Sequence, residues 1–154
     1  MDKFELIDIK KLVPVAAKIS AGKSNLLNVL FNIKFLECKA GIATKFINIL
    51  KYNPTLKKQI FYHLKIKKFE DKYLFYKDLS KEIIEGEEKI IEENKKINKK
   101  YANEKFLDYE DLFYMTEINS EPFIKDKEYL EEHYLCDIPG LSEYQENPDN
   151  KKVI

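Results

Sequence analysis

Apolar and polar residues alternate in two rhythms along this chain. The apolar run Leu12-Val13-Pro14-Val15-Ala16 precedes the small, polar stretch Ala17 to Ser24, after which Leu26, Leu27 and Leu30 recur among Asn25 and Asn28. That order predicts a buried strand, a tight loop and a helix over about Lys23 to Phe31, burying the three leucines and exposing the two asparagines. Cys38 to Thr44 breaks the pattern with a flexible glycine, and Lys45 to Tyr52 then alternates in strand fashion through Phe46, Ile47, Ile49 and Leu50, closed by Asn53-Pro54. Gln59 to Ile66 and Tyr73 to Tyr76 are β-rich and predict a hairpin spanning Lys67 to Lys72.

From Asp78-Leu79 the period changes: Ile83, Ile84, Ile90, Ile91, Ile97 and Tyr101 recur near seven residues with Glu and Lys between them. This predicts one long amphipathic helix, weakened at Gly86 by about 1 kcal/mol relative to alanine. Residues 102 to 111 read as a polar loop, Leu112 to Ile118 as a strand, Glu121-Pro122 as a turn, and Lys125 to Glu132 as charged without a readable period. His133 to Cys136 reads as a strand running into Asp137-Ile138-Pro139-Gly140-Leu141. Residues 1 to 11 fit an edge strand or a lead-in helix equally. The expected organisation is a lead-in over 1–11, an α/β domain over 12–144 and, over 145–154, either a polar tail or a truncated continuation of the region after Gly140.

At 154 residues and 44% apolar content the chain can build one core. Its 27 basic and 27 acidic residues cancel, so no global field favours nucleic acid or an anionic membrane. The lysines at 57, 58, 65, 67 and 68 interleave with Phe61, Tyr62 and Phe69, but Glu70 and Asp71 interrupt them and the hairpin accounts for the aromatics, so nucleic acid is not an expected partner. Cys38 and Cys136 have no partner at metal-ligand spacing and read as reduced core residues. His63 and His133 read as strand residues rather than bases. With charges mixed from Met1 onward and no apolar run of membrane length, the expected location is the cytoplasm.

The candidate chemistry lies in two motifs. Ala17-Lys18-Ile19-Ser20-Ala21-Gly22-Lys23-Ser24, between strand and helix, has the context of a phosphate-binding loop: backbone N–H groups from Lys18 to Ser24 can wrap a polyphosphate at the positive end of the helix dipole. Lys23 would reach the β- and γ-phosphates and Ser24 would ligate Mg²⁺. Ala17 stands where the pattern has glycine, which strains a positive-φ turn by roughly 1 kcal/mol. Asp137-Ile138-Pro139-Gly140 is a D-x-x-G turn, with Asp137 toward Mg²⁺ and the Gly140 N–H toward the γ-phosphate. Ligands of open α/β sheets bind at carboxyl ends of strands, where Ser24 and Asp137 would converge.

The run Ile19 to Asn28, Ala43-Thr44-Lys45 before a strand, and Leu135 to Leu141 together resemble the N-terminal half of a dynamin-type large GTPase domain, a P-loop NTPase fold. Phe75 to Glu88 resembles a helix that this family inserts after its first switch. The resemblance covers about residues 12 to 144 and implies GTP, Mg²⁺ and hydrolysis stimulated by dimerisation of GTPase domains. It implies phosphate and nucleotide contacts from Lys18, Ile19, Ala21, Gly22, Lys23, Ser24, Asn25 and Gly140, and metal contacts from Ser24, Thr44 and Asp137. Ser20, Lys23 and Thr44 become the catalytic set: Ser20 beside developing charge, Thr44 as the first-switch threonine. Ile19 departs from the glutamine often found there to position water, the chain has no arginine, and no [NT]-K-x-D sequence selects guanine.

These departures imply weak or absent turnover in this chain alone, which reads as incomplete at its C-terminus, with its phosphate-loop strand at an open sheet edge. Membrane contact would come only through other domains. The alternative from another class is a non-catalytic module assembling with full-length GTPase partners as homodimer or heteromer through that edge and the long helix. An ATP-binding P-loop protein is the third reading.

Overall fold

The computed structural model describes residues 4–7, 12–15, 20–34, 46–102, 112–122 and 127–137. In chain order they form β1 (Phe4–Ile7), β2 (Leu12–Val15), α1 (Ser20–Phe31), β3 (Ile47–Tyr52), β4 (Ile60–Phe69) and β5 (Lys72–Asp78). There follow β6 (Ile84–Glu85), α2 (Glu87–Ala102), β7 (Phe113–Ile118), α3 (Lys127–Glu132) and β8 (Tyr134–Asp137). The strands make one mixed sheet in the order β1-β5-β4-β7-β3-β8-β2, with β6 also on β4. β2 runs parallel to β8 and β3 parallel to β7, whereas β3–β8, β7–β4, β4–β5 and β5–β1 are antiparallel.

The two-residue period of the strands sorts their side chains into two cores. Leu50, Phe61, Ile118 and Leu135 face Leu27 and Phe31 of α1, Ile90, Ile97 and Tyr101 of α2, and Leu130 of α3. The alternate residues Ile49, Tyr62, Met115 and Cys136 form the second cluster. Full burial of a side chain such as Ile90 or Phe31 is worth roughly 1.5–3 kcal/mol, so these stripes hold the helices to the sheet. Cys136 is buried. No helix among the described residues is long and apolar enough to cross a membrane.

Helix α1 begins at Ser20, three residues before the expected start, and ends through a specific cap. Asn32 takes φ 54°, its N–H bonds the Val29 carbonyl at 3.2 Å, and the Ile33 N–H bonds that of Asn28 at 2.8 Å. This is the paired arrangement of a Schellman cap, with asparagine tolerating the left-handed position that β-branched Ile33 would resist. Leu27 and Phe31 define the buried stripe; Leu26, expected inside, is 60% exposed because it lies a hundred degrees around the helix from Leu27.

The long helix expected from Leu79 is instead a turn, the short strand β6 and α2. Asp78 ends β5 and folds Ser80 back upon itself, and Gly86 at φ 94° separates β6 from α2, a conformation that no helix interior contains. The Gly86 N–H reaches the Gln59 carbonyl at 2.9 Å and its own carbonyl receives the Ile90 N–H at 3.0 Å, so the glycine becomes the point where sheet pairing gives way to helix. Glu87 and Glu88 open α2 and Lys99 and Lys100 close it, matching the helix dipole. The β4–β5 hairpin runs farther than its apolar pattern indicates, to a two-residue turn at Glu70-Asp71 with Glu70 at φ 55°. Its lysine-rich end is a two-stranded ribbon whose faces meet water, so apolar alternation is not required there. Residues 4–7 resolve as the edge strand β1, and Lys127–Glu132 is a short helix with only Leu130 buried. His133 precedes β8 rather than lying within it.

Candidate functional site

β2 and β8 are parallel neighbours, and their register sets Val15 beside Asp137. The strand leading toward the phosphate-loop sequence and the strand carrying the D-x-x-G aspartate therefore end side by side at their carboxyl ends, the place where open α/β sheets bind ligands. Ser20, Ala21, Gly22, Lys23 and Ser24 form the opening turns of α1, whose free N–H groups and dipole favour an anion. Asn25, next on the helix, is exposed. Ala17, Lys18, Ile19, Thr44 and Gly140 lie outside the described residues, as does Cys38.

Asp137 is fully buried at the end of β8, whose four residues are all inside. Across β3 it faces Asn48, also fully buried. The Asn48 Oδ1 accepts a 2.7 Å hydrogen bond from the Thr116 hydroxyl of β7. The Asn48 Nδ2 finds no hydrogen-bond partner among the described residues, which leaves a buried donor one strand from Asp137.

The same register continues outward. Asn48 lies beside Tyr114 of β7, Tyr114 beside His63 of β4, and His63 meets Asp78 of β5 at 3.4 Å. One cross-sheet row on the helix-covered face thus reads Val15, Asp137, Asn48, Tyr114, His63, Asp78. Its far end is closed by local chemistry: Ser80 donates to Asp78 Oδ1 from its N–H at 3.0 Å and its hydroxyl at 2.5 Å. Burial raises the Asp78 pKa, but the two Ser80 bonds and the charges of His63 and Lys81 outweigh it and hold the carboxyl below its ordinary value. The His63–Asp78 pair was not visible as a motif because the residues are fifteen apart. The hairpin register would have found it once the turn was placed at Glu70-Asp71.

On the opposite face and toward the opposite end of the sheet, Glu117 accepts hydrogen bonds from the Tyr62 hydroxyl at 2.7 Å and Asn53 Nδ2 at 2.9 Å, with Lys51 at 3.6 Å. Burial first, and then the Glu117 carboxylate, push the Tyr62 hydroxyl pKa far up, so it stays a donor. This cluster is a satisfied structural network. Among the described residues no group of three or more His, Cys, Asp or Glu side chains could hold a metal.

The family model described as the dynamin family matches residues 13–153. The chain belongs to the dynamin family. Its fold is accordingly the P-loop GTPase fold, and the family is one of GTP-binding, GTP-hydrolysing proteins that generally work with Mg²⁺. Among solved structures, a bacterial dynamin described as an oligomerised pair that gives a mechanism for long-range sensing and tethering of membranes aligns with a TM-score of 0.41 and 18% identity. That alignment covers 95% of this chain and 18% of the other. The chain therefore spans less than a fifth of that dynamin's length. No curated protein matches the chain.

Proposed function

We propose that this dynamin-family chain binds GTP with Mg²⁺ at the carboxyl ends of β2 and β8. The observation that carries the reading is the parallel register of Val15 with Asp137, which supports a shared site for the loop sequence and the D-x-x-G carboxylate. In this reading, Lys23 neutralises the β- and γ-phosphates, backbone N–H groups from Lys18 to Ser24 wrap them, and the Gly140 N–H meets the γ-phosphate. The donor set suits a hard cation: the hydroxyls of Ser24 and Thr44 and the carboxylate of Asp137 are all oxygen ligands. When bound, the cation would neutralise charge on the phosphate oxygens. Ser20 adds a hydroxyl beside the γ-phosphate, whereas Ile19 cannot hydrogen-bond an attacking water. Turnover by the isolated chain is therefore expected to be slow, with any arginine coming from another protein.

The test is equilibrium binding of fluorescent GTP and ATP analogues, with and without Mg²⁺, to the wild-type chain and to Lys23→Ala. Lysine-dependent and Mg²⁺-dependent preference for GTP supports the reading; equal binding of both nucleotides removes guanine selectivity; absence of binding overturns it.

A second reading rests on a different observation. Among the described residues β2 pairs with β8 alone, and beside that free edge Leu12 is 38% exposed, while Leu26 and Val29 of α1 are 60% and 57% exposed. A strand paired on one side among the described residues, together with exposed apolar side chains on α1, supports assembly with another GTPase domain, as homodimer or heteromer. A stable monomer at micromolar concentration that hydrolyses GTP would exclude it as the chain's main role.

A further inference from the structure

At the other end of the cross-sheet row lies a cavity of about 280 Å³ between α2, the segment after β5 and the surface of β4 and β7. Its floor is aromatic: Phe61 and Tyr114 stack with ring centres 5.2 Å apart and planes within 2°, and His63 meets Tyr114 edge-on at 5.0 Å. His63 is only 3% exposed yet lines the cavity, and Asp78 holds its Nδ1 side at 3.4 Å. The Tyr114 hydroxyl lies 3.4 Å from that of Tyr101 on α2.

The rim carries charge from two elements. Lys96 and Lys100 stand one turn apart on α2, and Lys81 approaches from the segment after β5. Glu82 and Glu93 also line the cavity, so the lysines outnumber the carboxylates by one. Ile84 and Ile97 supply apolar walls. An aromatic lining of Phe61, Tyr114 and His63 beneath a cationic rim suits a ligand that has a planar body and one acid group. The volume sits at the small end of ligand pockets and accommodates roughly a dozen heavy atoms.

We propose that this cavity is a second binding site, separate from the β2–β8 end, for a small planar organic anion. The ring of the ligand packs against Tyr114 between Ile84 and Ile97, and its carboxylate or phosphate monoester is held by Lys81, Lys96 and Lys100. None of these residues belongs to the proposed nucleotide site, so the inference stands or falls independently of GTP binding.

The experiment titrates the full chain with benzoate, phenyl phosphate, benzylamine and inorganic phosphate, following isoleucine methyl and aromatic resonances by NMR. Benzoate and phenyl phosphate are expected to shift Ile84, Ile97 and Tyr114 with a dissociation constant below about 1 mM, typical of efficient small ligands. The double variant Lys96→Gln, Lys100→Gln changes exposed positions and is expected to lose at least about tenfold in affinity, with unchanged binding of fluorescent GTP and a melting temperature lowered only by the small dipole contribution of Lys100. Equal shifts from benzylamine, the same shifts from inorganic phosphate, retained affinity in the double variant, or no shift at 10 times that concentration would each overturn the proposal.

Discussion

Two buried aspartates lie on the same cross-sheet row, and their surroundings differ in kind. Asp78, 2% exposed, is held within three residues of its own sequence by Ser80 and across the hairpin by His63. Asp137, 0% exposed, stands where a parallel pair ends, beside the strand that feeds the phosphate-loop sequence and opposite an asparagine amide. Equal burial therefore carries different meanings: the first carboxylate completes a local turn, and the second stands at the carboxyl end of a parallel strand pair. Position on the sheet, rather than depth, separates a structural acid from a candidate ligand.

The comparison can be broken most directly at its structural end. Asp78→Ala removes the acceptor of both Ser80 bonds and the partner of His63, and is expected to cost about 3 kcal/mol in urea unfolding. A loss under about 1 kcal/mol would erase the distinction. At the other end, Asp137→Asn should leave the ligand-free chain within about 1 kcal/mol of wild type. It should also abolish the Mg²⁺-dependent part of the stabilisation by GTP, which at 100 times the dissociation constant is about 2.7 kcal/mol in wild type. The middle of the row sharpens the contrast: Thr116→Val removes the donor to Asn48 while keeping shape, with an expected cost of about 1–2 kcal/mol. If it also weakens Mg²⁺-dependent binding, Asn48 helps to set the Asp137 end.

The smallest effect concerns acid. The Asp78 carboxyl lies below its ordinary value in the folded chain, so its contribution is present above the unfolded-state value and is lost as pH falls through the folded one. Asp78→Asn is therefore expected to have a shallower acid limb in stability against pH between those two values, and an identical limb would count against the assignment.

Much of this arrangement was legible in local sequence. The apolar run before a loop and helix gave β2 and α1, and the acidic end of the last apolar strand gave β8, because both signals are short and periodic. The breaks were harder. Gly86 looked like a weak helix residue, but its positive φ divides a strand from a helix, and heptad spacing cannot distinguish Ile83 and Ile84 in a sheet-edge segment from Ile90 and Ile97 on a helix. Leu26 was misplaced because three leucines in five residues exceed what one helical stripe can bury. The His63–Asp78 pair and the cavity beside it depend on register and on α2 lying across β4 and β7, which no local window contains. Of the candidate site, the sequence order supplied the motifs and the sheet order supplied the adjacency of Val15 and Asp137.

The position of β2 has a kinetic side. It is four residues long, it bonds to one neighbour among the described residues, and Pro14 contributes no N–H to that ladder. The interior strands β3 and β7 bond on both sides, whereas β2 bonds to β8 alone among the described residues, so β2 is expected to open at a lower free energy than they do. Any nucleotide that requires β2 in place is bound only during its docked intervals. If β2 is docked a tenth of the time, the apparent affinity falls about tenfold, and anything that clamps the edge, whether ligand or second chain, restores it. With the proposed nucleotide site, edge occupancy would set affinity without touching a phosphate.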